Sequence, residues 1–448
     1  MKAARKLRKL QQPQSLLEYT RQFLTPQVWK QARQAVPRKR SQPRWDLQPL
    51  VLILLAMTWA SGDSESEKFE TAHGFYVAAY QARKRPGKTV QGFQKALSRV
   101  PSRQLRALAA GVRRQIRLRF AERLLCDGFE PMGCDGSRIE CPRSTQLEAR
   151  LRLAGKDDSA PTVWVTAFVH LGTGLLWSWQ LGPGTADERQ HLQRLLTTLS
   201  PAALIVADAA SMGYELARAI VQSQRSFLLR MSSKMYLYTM EHAALESWNE
   251  GLVYYWPVKV REKGQPPLLC RLIRVPAKGN AKHDVWLLTD ILDPARLSKA
   301  TAAKFYRWRW RNEGLFRIYK RTIKKLKLSS RTVRLVHREA EVSLLALQLM
   351  LAHADLALRS QRSEAAPVVS PRKVLIEIRR ELNGATQRSR PSYHVRLQRC
   401  RASCRVQKSS KVAREWPRRK PYKPPAPPNL LTFTTEHKAL VMQHFGAV

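Results

Sequence analysis

The sequence is short of negative charge. Its 448 residues carry 34 Asp and Glu against 79 Lys and Arg, a formal charge of +45. A compact chain with that imbalance repels itself unless a polyanion neutralises it. Nucleic acid is the leading partner on this ground and an anionic membrane surface the lesser one. Charge does not say what is done with the polyanion, since a ribosome-associated or packaging protein would show the same excess.

Long apolar runs are also missing. The longest, from Leu50 to Ala60, falls short of the about 20 residues a membrane-spanning helix needs. It starts too far along the chain for a secretory signal, and no cleavage pattern follows. A buried core helix is expected there, with no membrane as partner. Cysteine is sparse: Cys126, Cys134, Cys141, Cys270, Cys400 and Cys404. No close Cys pair is matched by His at zinc-finger spacing, which argues against a zinc site. Thiols so scattered in a long chain read as reduced and cytoplasmic. The length allows two or three domains and a sizeable core.

Residues 1 to about 45 are strongly basic, opening with Lys2, Arg5, Lys6, Arg8 and Lys9 and adding a second block at 37–44. They read as a solubilising tail or as a DNA-contacting arm, and the total charge favours the arm. From Leu47 to about Phe120 the pattern is helical. The apolar helix at 50–60 is followed by capping residues at 62–64 and a second helix, and two more are expected between Thr89 and Arg119. The last of these carry Arg103, Arg106, Arg113, Arg114, Arg117 and Arg119. A basic, helical DNA-binding region, 1–120, is the functional reading, without a specific helix-turn-helix signal.

Strand character begins near Leu125. A short strand bears Asp135, with Gly136 allowing a ligand close approach. Thr162 to His170 is β-branched, Gly172-Thr-Gly174 turns the chain, and Leu175 to Leu181 returns as a third strand. An amphipathic helix from Asp187 to Leu199 precedes the apolar run Ala203-Leu-Ile-Val-Ala-Asp208. That run reads as a buried strand with a carboxylate at its carboxyl end, where α/β sheets bind ligands. A helix, Tyr214 to Gln224, and a strand, 226–230, follow. Residues 232–284 hold short alternating segments that read as an inserted β subdomain. Beyond a helix near Arg338 to Arg359, one further helix is expected at Pro371 to Leu382, and the Pro-rich stretch 417–428 reads as extended linker.

The stretch Phe305-Tyr-Arg-Trp-Arg-Trp-Arg-Asn-Glu-Gly-Leu-Phe-Arg-Ile-Tyr-Lys320 reads as a two-faced helix. Tyr306, Arg309, Glu313 and Lys320 fall within roughly a 60° arc, and Phe305, Trp308, Leu315, Phe316, Tyr319 and Ile323 within roughly 100° on the other side. A carboxylate among cationic and phenolic groups suits phosphodiester chemistry: Glu313 for a divalent cation, Arg309 and Lys320 for phosphates, Tyr306 as a donor. An amphipathic helix whose lone Glu balances nearby Arg would look the same.

The spacing Tyr306-(2)-Arg309-(3)-Glu313-(6)-Lys320 resembles the signature of the insertion-sequence-four family of bacterial DDE transposases. The resemblance covers about residues 125 to 355. It implies a ribonuclease-H-like fold, a mixed sheet with flanking helices and an inserted β subdomain, in a catalytic domain at 121–360. A basic, Pro-rich C-terminal region, 361–448, would follow. It implies Asp135 and Asp208 as the two acids that join Glu313 around two magnesium ions, with manganese as a substitute. Asp127 also precedes a Gly, but Ser137-Arg-Ile-Glu-Cys-Pro142 follows Asp135 as the family pattern wants. Ala209-Ala-Ser stands where the family often has Gly-Phe. A flipped base held by a Trp of the insertion would fall to Trp248 or Trp256, although such a Trp is more often core. The implied activity is metal-dependent cleavage and joining of double-stranded DNA at terminal inverted repeats. It would be carried out by a homodimer on the bacterial nucleoid. A nuclease of the same fold, or a catalytically silent DNA-binding derivative, fits the same residues.

Overall fold

The computed structural model describes residues 12–36, 45–80, 85–151, 159–208, 213–277, 283–358, 369–384, 391–402 and 426–445. The basic segments 1–11 and 37–44, the replacement at 209–211, the turn at 278–280, Cys404 and the Pro-rich residues 417–425 lie outside the described residues. The five described cysteines are free thiols.

Among the described residues six helices precede the sheet: α1 (Leu16–Phe23), α2 (Pro26–Gln34), α3 (Leu47–Trp59), α4 (Glu65–Ala79), α5 (Val90–Ser98) and α6 (Ser102–Leu124). Ser15, Thr25, Ser64 and Thr89 each accept a backbone N–H of the first turn, which satisfies a donor that a helix start leaves open. Residues 16–34 correct the expectation of a basic tail or arm. Their apolar positions recur every three or four residues, and Tyr19, Phe23, Val28 and Trp29 are buried. The Phe23 ring lies 6.4 Å from Phe120 on α6. Counting charge hid this period. The run at 50–60 is buried within α3, as expected.

The next elements are β1 (Glu130–Glu140), α7 (Thr145–Arg150), β2 (Thr162–His170), β3 (Leu175–Pro183), α8 (Glu188–Leu195), β4 (Ala203–Ala207), α9 (Tyr214–Gln222) and β5 (Ser226–Arg230). The insertion supplies β6 (Tyr236–Thr239), β7 (Glu250–Tyr255), α10 (Val258–Arg261) and β8 (Leu268–Val275), and β9 (Val285–Thr289) leads out. Then come α11 (Lys299–Trp308), α12 (Trp310–Arg317), a π-helical turn (Ile318–Thr322), α13 (Val333–Leu358), α14 (Pro371–Leu382), α15 (Tyr393–Gln398), β10 (Asn429–Thr432) and α16 (Thr435–Phe445).

Among the described residues ten strands join one mixed sheet in the order β10-β6-β7-β8-β9-β5-β4-β1-β2-β3. β4 pairs in parallel with β1 and β5, and β2 runs antiparallel between β1 and β3. Successive residues of β4 feed opposite faces: Leu204 and Val206 enter one core with Phe305 and Tyr306, Ile205 and Ala207 the other. Both faces are therefore covered, which is why the strand reads as an unbroken apolar run. The strands of the insertion do not close on themselves. β8 pairs with β9 and β9 with β5, so they lengthen the sheet. β10, which the sequence did not announce, adds in parallel to β6 and stacks Phe433 on Tyr238 at 4.9 Å.

Helix α13 is buried almost all round. Among the described residues it is the one helix long and apolar enough to cross a membrane, and 83% of its apolar window lies inside the protein. It packs on α3, α5, α6, α14, α15 and β3. Two of its polar groups are matched where they enter the core: Gln348 Nε2 donates to the Leu176 carbonyl at 2.8 Å, and Arg338 Nε to that of Val100 at 2.6 Å, whereas both ring nitrogens of the fully buried His353 lack a hydrogen-bond partner.

Asp290, just past β9, accepts the Phe227 N–H at 2.7 Å, and burial pushes its pKa up to about 6 from 3.8. The folded state thus holds this proton more tightly than the unfolded chain. Its stabilising effect is complete below the unfolded value and is lost as pH rises from about 4 to 6. Asp290→Asn keeps an acceptor without the charge. Measured by urea unfolding, its stability relative to wild type should shift favourably by about 2–3 kcal/mol between pH 4.5 and pH 7.5. A difference that ignores pH would show that Asp290 does not carry this load.

Candidate active site

The site forms where two strands part. β1 and β4 run together from Glu130↔Ala203 to Gly133↔Val206. β4 then stops at Ala207, while β1 continues along β2 to Glu140. Asp208 is the first residue beyond β4, and Asp135 lies on β1 two residues past the last shared pair. Arg230 ends the neighbouring strand β5, where Ala207 faces Leu229. Asp135, Asp208 and Arg230 therefore share one sheet edge, at the carboxyl ends of the parallel strands.

Burial raises the pKa of Asp135. The carboxylates of Glu313 and Asp208 add to that, while the Gly136 N–H and the Arg309 guanidinium oppose it. The Gly136 N–H donates to Asp135 Oδ1 at 2.8 Å. Asp135 thus stands in the fields of the two other acids singled out by sequence. Asp208 is paired with Arg309 at 3.6 Å and Arg230 at 3.8 Å. Among the described residues, no group of three or more His, Cys, Asp or Glu side chains converges as metal ligands. The donor set nevertheless suits a hard divalent cation, which takes carboxylate oxygens and would relieve the mutual repulsion that Asp135 feels.

The signature segment is not one regular helix. The Arg309 N–H donates to the Tyr306 carbonyl and the Asn312 N–H to that of Arg309, tightening the chain between α11 and α12. The Ile323 N–H donates to Ile318, five residues back, in the π-helical turn. Phe305, Leu315, Phe316, Tyr319 and Ile323 are buried, as the periodicity predicts. The polar four also gather at the acids despite the breaks. Burial raises the Tyr306 phenol and the Asp208 charge adds to it, with Arg309 and a hydrogen-bonded Arg230 opposing. Burial lowers the Lys320 ammonium, and the carboxylates of Glu140 and Asp135 counter it. Arg309 is itself buried, and its Nε lacks a hydrogen-bond acceptor.

Sequence reasoning missed three residues here. Arg230 was passed over, though it ends a buried strand at the same edge as Asp208. Asn312 is fully buried and donates to the Cys134 carbonyl at 3.2 Å. Its signal was a polar residue seven positions after Phe305, on the apolar side of the helix. Trp310 is 62% exposed, with the Arg309 guanidinium 5.3 Å from its ring.

The other candidates sit as follows. Asp127 occupies a turn at φ 47° and pairs with Lys304 at 2.9 Å. Trp256 is buried against Phe433, and its indole N–H donates to the Gln265 carbonyl at 2.7 Å. Trp248 is half-buried over Gly251 and donates to the Leu272 carbonyl at 3.1 Å. Gly136 corrects the expectation of a ligand's close approach. A Cβ there would collide with the Trp164 indole and stand 2.9 Å from Glu188 Oε2, so a neighbouring side chain fills the space.

Residues 134–349 match a family model described as the transposase DDE domain. The matched span holds Asp135, Asp208 and Glu313 and supports a DDE transposase, a class of enzyme that generally uses divalent metal ions. Among solved structures, a piggyBac transposase synaptic complex with hairpin DNA aligns over 92% of this chain and 90% of that chain, at 12% identity and a TM-score of 0.44. No curated protein matches the sequence.

The packing at Gly136 makes a direct prediction. Gly136→Ala should destabilise the fold by about 1–3 kcal/mol, as overpacking does, and adding Trp164→Leu should recover most of the loss in urea unfolding. An unaltered midpoint for the single variant would show that the indole does not occupy this space.

Proposed function

We propose that the chain is a cut-and-paste DNA transposase of the insertion-sequence-four type, with a ribonuclease-H-like core formed by β3-β2-β1-β4-β5. The observation that supports this reading is that Asp135, within β1, lies in the fields of Asp208, just past β4, and of Glu313 on α12, inside a stretch matched as a transposase DDE domain. The substrate would be double-stranded DNA bearing terminal inverted repeats, engaged by a homodimer on the bacterial nucleoid.

In this reading Asp135, Asp208 and Glu313 would hold magnesium, with manganese as a substitute. Bound metal supplies Lewis-acid polarisation of a phosphodiester and a more nucleophilic water or 3′-hydroxyl. The chain's own cations serve the DNA. Arg309 and Arg230 are already drawn to Asp208, so a cation on that carboxylate would release guanidinium groups toward a phosphate. Lys320 sets a point charge beside Asp135, Tyr306 offers a hydroxyl donor, and of the two tryptophans the half-buried Trp248 would receive a flipped base, since Trp256 is buried against Phe433.

Incubating the protein and magnesium with the DNA that flanks its own gene tests this. Cleavage at the repeats and a joined strand-transfer product are expected. Cleavage without joining would make it a nuclease, and binding alone would make it a silent derivative. Asp135→Ala, Asp208→Ala and Glu313→Ala should each lower cleavage by at least about 100-fold, while changing duplex affinity little because the +45 charge field persists. Near-normal cleavage by any one of them removes that residue from the site.

The charge field has its own signature. Affinity for random duplex should fall at least about tenfold between 50 and 200 mM salt through counterion release. Fluorescence anisotropy across that range checks it, and a flat affinity would reject polyanion binding as the purpose of the charge.

A further inference from the structure

The opening between β1 and β4 leaves a gap that one side chain fills. The shared ladder ends at Gly133↔Val206, and the next carbonyl, that of Cys134, is taken by Asn312 Nδ2 at 3.2 Å. Asn312 is fully buried, and its Oδ1 has no hydrogen-bond partner. It reaches the strand because residue 133 is glycine. A Cβ there would stand 2.5 Å from Asn312 Oδ1, 2.6 Å from Nδ2 and 2.6 Å from a Leu171 methyl. The neighbouring Arg311 adds a second anchor, donating to the carbonyls of Leu171 and Gly172 at the β2–β3 turn.

Cys134 precedes Asp135, and Asn312 precedes Glu313. The amide therefore joins the residues next to two of the acids across a sequence separation of 178. A helix held on a strand by shape alone could slide or roll. A hydrogen bond from a buried amide to one backbone carbonyl fixes both its height and its rotation, because leaving that carbonyl unmet in the core is costly.

We propose that Asn312 is a positioning residue that sets the placement of Glu313 relative to Asp135, with Gly133 as its obligatory counterpart. The proposal rests on the reading of these acids as a divalent-metal site. The amide's one hydrogen bond is offset by its own unmet, buried oxygen, so packing and stability give little reason for an asparagine here, and replacing it by an apolar side chain of similar volume costs the stability lost when the Cys134 carbonyl is left unmet. Asn312 is the choice that favours placement.

The test measures manganese binding to the full chain by calorimetry, beside urea unfolding and duplex affinity, for wild type, Asn312→Leu, Gly133→Ala and the double variant Gly133→Ala/Asn312→Ala. Asn312→Leu should stay folded and bind duplex normally, yet lose about 10–100-fold in manganese affinity, as outer partners of metal ligands do. Gly133→Ala should lose stability and metal binding together. The double variant, freed of the clash with the amide though not of that with the Leu171 methyl, should regain part of the stability but not metal affinity. That split separates positioning from packing, and the double variant decides if Asn312→Leu does not fold. Manganese affinity within twofold of wild type in Asn312→Leu or in the double variant overturns the proposal. Absence of manganese binding by wild type would overturn the metal-site reading, and the proposal with it.

Discussion

The burial of α13 governs this architecture. Its stretch 341–358 is buried on almost every side, polar residues included, and leaves no face to water. Its wrapping comes from parts of the chain far apart in sequence: α3, α5 and α6 before the sheet, β3 within it, and α14 and α15 after it. The N-terminal helices are thereby continuous with the core that carries the acids. The helix also anchors the signature segment. Tyr319, fully buried in the π-helical turn, shares a 2.7 Å hydrogen bond with Ser343, and Lys325 pairs with the buried Glu339 at 2.6 Å. The position of Glu313 is thus referred to α13 on one side and to β1 on the other.

Around the acids, the structure balances charge locally within a chain that is basic overall. Asp208 draws Arg230 and Arg309, and Arg309 is almost covered by protein. Burying a guanidinium is expensive unless a carboxylate repays it. Asp208 repays part of it, and the unmet Nε marks what is left over. Asp135 meets the opposite problem, raised by burial and by its acidic neighbours. Asp208 and the two arginines meet each other, while Asp135 bears the repulsion of its acidic neighbours. Perturbed groups facing one another in this way are the electrostatic mark of a functional site.

Much of the site was legible because its chemistry is written in residue types at fixed local spacing. Tyr306, Arg309, Glu313 and Lys320 lie within fifteen consecutive positions, and the apolar positions that alternate with them show a helix-like period. Asp208 could be read from the apolar strand that it ends. Asn312 was hidden by its type. A polar residue on an apolar face looks like an imperfection until the carbonyl it meets is known, and that carbonyl belongs to a strand 178 positions away. Gly136 misled for a related reason: a glycine announces close approach without saying whether a ligand or an indole approaches.

The sequence by itself determined the local elements, because caps, apolar periods and turn residues act over a few positions. It set α3, α14 and the alternation from β1 to β5, along with the excess of positive charge. Tertiary structure alone decided three things. It decided that the strands of the insertion extend the core sheet, because sheet edges pair by long-range register, which local pattern does not encode. It recruited β10 and Phe433 from the end of the chain to the edge at β6, since an unpaired edge accepts any compatible strand that reaches it. It brought Asp135, Asp208, Arg230 and Glu313 into one field, because Coulomb interaction depends on distance in space and not on distance along the chain.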